Sequence, residues 1–258
     1  MDKPLEGTGV LVTRPLATAT AFSDLLIANG ASVTLFPTIE IVRHGDPETL
    51  RSLIGEPEYD IIVFISANAV THAVDTIAIP DQASVAAVGT ATADALRAAG
   101  REPDLVPGIA SSEGLLDSEA LSDVAGKRIL VVKGVGGLRT LEESLQRRGA
   151  EVVTAEAYRR AVPDRDTQDL EADWASGLID ATTFTSGDAL RNLHQMLSDN
   201  GRELLCATPL VVPSERVAKI GVDLGFRVAP VVATGADPAS MLQALIHWSS
   251  QKRYEPEK

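Results

Sequence analysis

The stretch YDIIVFISANAV (59–70) decides how the chain folds. Ile61 to Ile65 form an unbroken apolar run, the pattern of a strand covered on both faces in a parallel sheet. The run stops on Ser66-Ala67-Asn68, small and polar residues of the kind that open a helix. A second stretch, IDATTFTSGDAL (179–190), repeats the order of strand, turn and helix, and Asp60 and Asp180 are 120 positions apart, as are Ser66 and Ser186.

Working outward, two more pairs turn up in the same order. GVLVTRP (9–15) with its following LLIANGASV matches RILVVKG (128–134) with SLQRRGAEV; Gly30 and Gly149 are 119 apart, as are Val12 and Val131. VGTATADALRAAG (88–100) matches PSERVAKIGVDLG (213–225), an offset of 125. Phe22, Leu25, Leu26 and Asn29 fall at helical spacing before Gly30, and glycine is the usual helix stop. Alternating strands and helices predict an α/β architecture. Three like pairs at a nearly constant offset predict two similar parallel-sheet α/β domains derived from an internal repeat. Segments of strand character at equivalent places, FPTIEIV (36–42) and AEAYRRA (155–161), are the expected linker strands.

Composition narrows the function. The chain has 258 residues, 45% hydrophobic and only 4% aromatic, so its cores are aliphatic. A net charge of −13 speaks against a nucleic-acid partner, which needs a basic surface. The longest apolar run is far too short for a membrane span, and the first residues lack a signal-peptide pattern. Cys206 is the single cysteine, and His44, His72, His194 and His247 have no ligand spacing. No metal or cofactor is expected, and a reducing, cytoplasmic setting is.

The turns after the strands carry Ser, Thr or Gly where helices begin. Ser66, Ala67 and Asn68 follow one strand, Gly89 and Thr90 another; Ser112, Ser186-Gly187 and Ser214 stand at three more. Each alone is explained as a helix cap. As a set, at the carboxyl ends of parallel strands, they present N–H groups, hydroxyls and positive dipole ends to anions. That suits a ligand bearing several carboxylates or phosphates. KGVGG (133–137), including Lys133 and Gly134, is glycine-rich but has neither phosphate-loop nor dinucleotide spacing. Arg14 and Lys133 lie just past equivalent strands, each either a solvated cation or a carboxylate clamp. Tyr158, within EAYRRAVP, is either a phenolic proton donor or an amphipathic residue at a domain edge.

With these pieces together, the chain resembles the uroporphyrinogen-III synthase family along almost its whole length. VLVTRP (10–15), ISANAV (65–70, with Ile65 in place of a threonine), AVGTATADALRAAG (87–100), ILVVKGVGGLRTLEESLQRRGAEV (129–152), AYRR and VPSERVAKIGVDLGF carry the resemblance. It implies two α/β domains joined by a two-stranded β-ladder, the N-terminal βα unit packing into the C-terminal domain. The implied boundaries are 1–36 plus 163–258, and 37–162. The implied activity is a cyclising hydro-lyase that converts hydroxymethylbilane to uroporphyrinogen III, inverting ring D and losing water, on the way to haem, sirohaem, corrinoids and chlorophylls. By the resemblance Tyr158 is the proton donor to the departing hydroxyl, and Ser66 and Thr92 bind carboxylates or assist that step. A monomer needing no cofactor is implied, its partner a small-molecule substrate. The competing reading is a non-catalytic two-domain regulatory protein that binds a polycarboxylate or tetrapyrrole.

Overall fold

The structure, a computed structural model, describes residues 3–55, 58–74, 82–137 and 139–254. The chain begins β1 (Gly9–Val12), α1 (Leu16–Ala28), β2 (Ser32–Leu35), β3 (Glu40–Arg43), α2 (Pro47–Gly55), β4 (Ile61–Phe64), α3 (Ala67–Val74), β5 (Ser84–Ala87), α4 (Thr90–Ala98) and α5 (Ser112–Leu116). It continues β6 (Arg128–Gly134), α6 (Thr140–Arg147), β7 (Glu151–Ala161), α7 (Gln168–Ala175), β8 (Ala181–Thr183), α8 (Gly187–Met196), α9 (Asp199–Ala207), β9 (Leu210–Val212), α10 (Glu215–Asp223), β10 (Val231–Val232) and α11 (Pro238–Tyr254). Two compact units result: Met1–Glu40 with Ala161–Lys258, and Ile41–Arg160. They are called the outer and inner units below, for their places in the sequence.

Each unit is built on a five-stranded sheet, β10-β9-β8-β1-β2 in the outer unit and β3-β7-β6-β4-β5 in the inner one. The pairings β1·β2, β1·β8, β8·β9, β4·β5, β4·β6 and β6·β7 are all parallel. With β1 matched to β6, β2 to β7, β8 to β4 and β9 to β5, the order β9-β8-β1-β2 becomes β5-β4-β6-β7. Each sheet therefore takes its first βαβ stretch from one repeat copy and its second from the other. Two aspartates mark the same joint in both sheets. The Asp180 carboxylate accepts the N–H of Gly9, 2.9 Å, at the start of β1. The Asp60 carboxylate accepts the N–H of Arg128, 2.7 Å, at the start of β6.

The alternation of side chains explains why β1, β4 and β6 are apolar on both faces. In the inner unit Ile62, Phe64, Leu130 and Val132 point into a core closed by α2, α3 and α4. Ile61, Val63, Ile129 and Val131 point the other way, onto α5 and α6. In the outer unit Leu11, Leu210 and Val212 face α7 to α10, while Val10, Val12 and Val211 face α1 and α11. Each large aliphatic or phenyl side chain so buried contributes roughly 1.5–3 kcal/mol. Gly9 admits no side chain: a Cβ there would lie 1.8 Å from the Leu178 carbonyl oxygen.

One linker strand is shorter than expected. In the segment 36–42 only Glu40 onward is strand: Pro37 has no N–H to give a ladder, the Phe36 and Thr38 N–H groups donate to the Val12 and Thr13 carbonyls, and the Thr38 hydroxyl donates to the Ala189 carbonyl, 3.0 Å. The matching segment 155–161 lies wholly within β7, which neighbours β3.

Candidate active site

In the inner unit the carboxyl ends of β4, β5 and β6 deliver Ser66, Gly89 and Gly134. Ser66 caps α3: its Oγ accepts the N–H of Ala69 at 3.1 Å. Ala67 and Asn68 open that helix, half-buried, with no acid in its first turn. The helix α4 starts differently. Its N-cap is Gly89, with extended backbone and no side-chain cap, so the N–H groups of Thr90 and Ala91 have no capping side chain. A Cβ on Gly89 would come within 2.7 Å of the Ala110 Cβ, so the glycine lets the 108–111 loop close against this turn. Thr92, in the first turn of α4, is buried at 3% exposure.

Tyr158 is set into the same end of the sheet by four features. First, the β6–β7 register slips: Lys133 pairs with Glu156 but Gly134 pairs with Tyr158, leaving Ala157 as an extra residue, the arrangement of a bulge that re-aims a side chain. Second, the Val135 N–H donates to the Tyr158 carbonyl, 2.8 Å, and holds the strand beyond the slip. Third, Gly134 vacates the space the ring occupies; a Cβ there would lie 2.6 Å from Cζ of Tyr158. Fourth, α3 reaches the side chain twice. The Tyr158 Oη lies 3.0 Å from Ser66 Oγ, and the His72 ring stacks on the Tyr158 ring with centroids 5.9 Å apart and planes at 28°.

A serine hydroxyl has one hydrogen and two acceptor positions. Ser66 Oγ accepts from Ala69 and keeps both its hydrogen and a second acceptor position for Tyr158 Oη, so either hydroxyl can donate in this contact. With Ser66 as the donor, the phenol proton is left for a bound molecule. The positive end of α3 sits under this pair and favours negative charge developing on the phenol oxygen.

The two strand-end cations are not solvated, and neither is offered to a ligand as an open clamp. Lys133 is 3% exposed and its Nζ donates to Glu142 on α6 at 2.5 Å, both side chains buried. Arg14 is 8% exposed; its guanidinium lies 4.5 Å from the Phe22 ring centroid and donates to the Ala236 carbonyl at 2.7 Å. Burial pulls Arg14 below its ordinary value, and Asp237 pulls it back up. Both cations take partners within their own unit, Lys133 from α6 and Arg14 from Phe22 on α1 and the Ala236 carbonyl. Beside Lys133 lies a cleft of about 420 Å³ lined by Gly136, Gly137, Arg139, Glu142, Thr154 and Glu156, which mixes both signs of charge.

Ser112 is the first residue of α5, whose cap is Ser111, accepting the Gly114 N–H. In the outer unit Ser186 caps α8, its Oγ accepting from Ala189 at 3.2 Å. Gly187 is there for packing, since a Cβ would meet Ile220 Cδ1 at 2.4 Å. Ser214 opens α10 without a side-chain cap. His72 and Glu142 were not singled out from sequence; His72 sits six positions past Ser66 on α3, a placement no motif announces.

Comparison with known proteins decides the family. The family model described as "Uroporphyrinogen-III synthase HemD" matches residues 20–243. The chain belongs to the uroporphyrinogen-III synthase family. It is 31% identical to the uroporphyrinogen-III synthase of Escherichia coli over 92% of this chain and 99% of that one. With the enzyme of Salmonella typhimurium the identity is 32% at the same coverage. In fold it is similar to uroporphyrinogen-III synthetase of Helicobacter pylori, with a TM-score of 0.58 at 12% identity, covering 93% of this chain and 99% of that one. As a family member it has two α/β units with parallel-dominated sheets and is a cyclising lyase of tetrapyrrole synthesis. Ile65 packs against the apolar cluster under α5 and α6. Among the described residues no group of three His, Cys, Asp or Glu could hold a metal ion, and no helix is long and apolar enough to cross a membrane.

Proposed function

We propose that the protein closes hydroxymethylbilane to uroporphyrinogen III, with Tyr158 as the proton donor. The observation that carries the assignment of roles is the Ser66–Tyr158 contact of 3.0 Å at the N-terminus of α3. The bilane bears a hydroxymethyl group at one end. Tyr158 gives its proton to that hydroxyl, the C–O bond breaks, and water departs to leave an azafulvenium ion and a phenolate. The terminal pyrrole attacks it through its substituted carbon; in the resulting spiro intermediate the bond from that carbon to its original bridging carbon breaks and re-forms at the ring's free α-carbon, whose proton returns to the phenolate. Ser66 donates to the phenol oxygen as the proton leaves. Thr92 is read as a second hydroxyl aiding that step, supported by its place in the first turn of α4.

The substrate's many carboxylates need partners in a chain whose net charge is −13. The acid-free starts of α3 and α4, through Ala67, Asn68, Gly89 and Thr90, supply N–H groups and dipole ends. Ser112, Ser186, Gly187 and Ser214 are further points of attachment on this reading. Free azafulvene closes unaided in the wrong orientation, so positioning the chain is the protein's main contribution. The protein is read as a cytoplasmic monomer, its internal duplication already supplying two units.

The test is to supply hydroxymethylbilane and determine the isomer formed. Type III product above the spontaneous type I background is expected. Type I alone, despite tight binding of the bilane, would leave a binding protein without chemistry.

A further inference from the structure

The proton donor is held at two points by one short helix, and only the first belongs to the reaction as read above. Ser66 grips the hydroxyl, while His72, on the body of α3, stacks on the ring at 5.9 Å and 28°. A centroid separation of this size is that of an offset-stacked aromatic pair, worth more than its buried area. Opposite demands meet at Tyr158. Its ring must lie close to Gly134, where even a methyl group does not fit, and the ladder that holds its backbone beyond the slip leaves the turn about its side-chain bonds unset. Tyr158 is itself only half-buried, so the ring needs a neighbour to fix the turn about its side-chain bonds. Within α3 that neighbour is His72.

We infer that His72 is a positioning residue: its flat ring fixes the orientation of Tyr158 so that the phenol meets both Ser66 and the departing hydroxyl. It acts through Tyr158 and through its aromatic face, without handling a proton itself. This inference rests on the reading of Tyr158 as the donor.

The test measures type III formation for His72→Ala, His72→Leu and His72→Phe, each alone and with Tyr158→Phe. His72→Ala and His72→Leu are expected to lower kcat about threefold to tenfold, the range of an aromatic pair converted to rate, with KM within twofold. His72→Leu keeps the volume and serves if the alanine variant does not fold. His72→Phe is expected to stay within about twofold of the parent. In the Tyr158→Phe background none of the three lowers the rate further. Equal losses for Phe and Leu would mean that the imidazole nitrogens, not the face, matter, and would overturn the inference. So would an unchanged His72→Leu, or losses that simply multiply with that of Tyr158→Phe. If Tyr158→Phe itself keeps the full rate, the donor assignment fails on its own account, separately from any result at position 72.

Discussion

Two serines 120 positions apart, Ser66 in the inner unit and Ser186 in the outer one, perform the same mechanical task. Each accepts the N–H three residues on, at 3.1 and 3.2 Å, and caps a helix. Around them the units differ. The place of Tyr158, 119 positions earlier, is held by Ile39, packed against the outer core. Thr92 corresponds to Val217, which is 1% exposed. The first turns of α8 and α10 carry Asp188 and Glu215, where α3 and α4 carry no acid. The strand-end threonines of the outer sheet are turned inward as well: Thr13 donates to the Thr183 carbonyl and Thr183 to the Leu11 carbonyl, both at 2.8 Å. Both units share what holds a βα unit together; the phenol, and the acid-free first turns at this equivalent pair of helices, belong to the inner unit. On the proposed roles capping and chemistry are separable, and the outer unit serves as the internal control.

The largest effect tests that contrast at its centre. Tyr158→Phe is expected to lower type III turnover by about 100-fold or more, with the thermal midpoint unchanged. Adding Ile39→Tyr to it should restore nothing; recovery of activity would show that the outer strand end can do the same chemistry. Next comes Gly134→Ala, which pushes a methyl group into the Tyr158 ring. A reduction of about 10- to 100-fold in kcat is expected, the scale of a displacement near 1 Å, with KM little changed. A normal kcat would show that the ring does not need its present seat.

The two strand-end cations give the smallest contrast in function and a clear one in stability. Glu142→Ala removes the buried carboxylate that neutralises Lys133 and is expected to cost about 3–5 kcal/mol in urea denaturation. Replacing both, Lys133→Met with Glu142→Leu, should return most of it. Arg14→Met in the outer unit loses a carbonyl hydrogen bond and a ring contact, expected to cost only about 1–3 kcal/mol. A Glu142→Ala loss below that of Arg14→Met would contradict the reading of Lys133 as a buried, paired charge.

Much of the architecture was legible because it depends on short-range patterns. The unbroken run at 61–65 announced a doubly covered strand, and the recurrence of Asp60 as Asp180 marked the repeated joint whose backbone caps the structure displays. Other features depend on partners far along the chain. Lys133 looks in sequence like any cation past a strand; that it is buried follows from Glu142, supplied by the next helix. Gly134 reads in sequence as one of several glycines in a turn, whereas its missing side chain makes room for a ring 24 residues further on. Ser111 and Ser112 are indistinguishable as caps until the helix start is seen. The apolar residues of 36–39 suggested a strand paired across the junction, whereas the Phe36 and Thr38 N–H groups donate to the Val12 and Thr13 carbonyls at the end of β1.

The most direct measurement compares Ser66→Ala with Ser186→Ala, two equal deletions of a cap. Both should lower stability by about 1 kcal/mol. If the inner unit carries the proton transfer, Ser66→Ala lowers kcat for type III product by about tenfold or more, while Ser186→Ala leaves kcat within twofold and affects KM alone. Equal losses of kcat, or an intact kcat in Ser66→Ala, would contradict it.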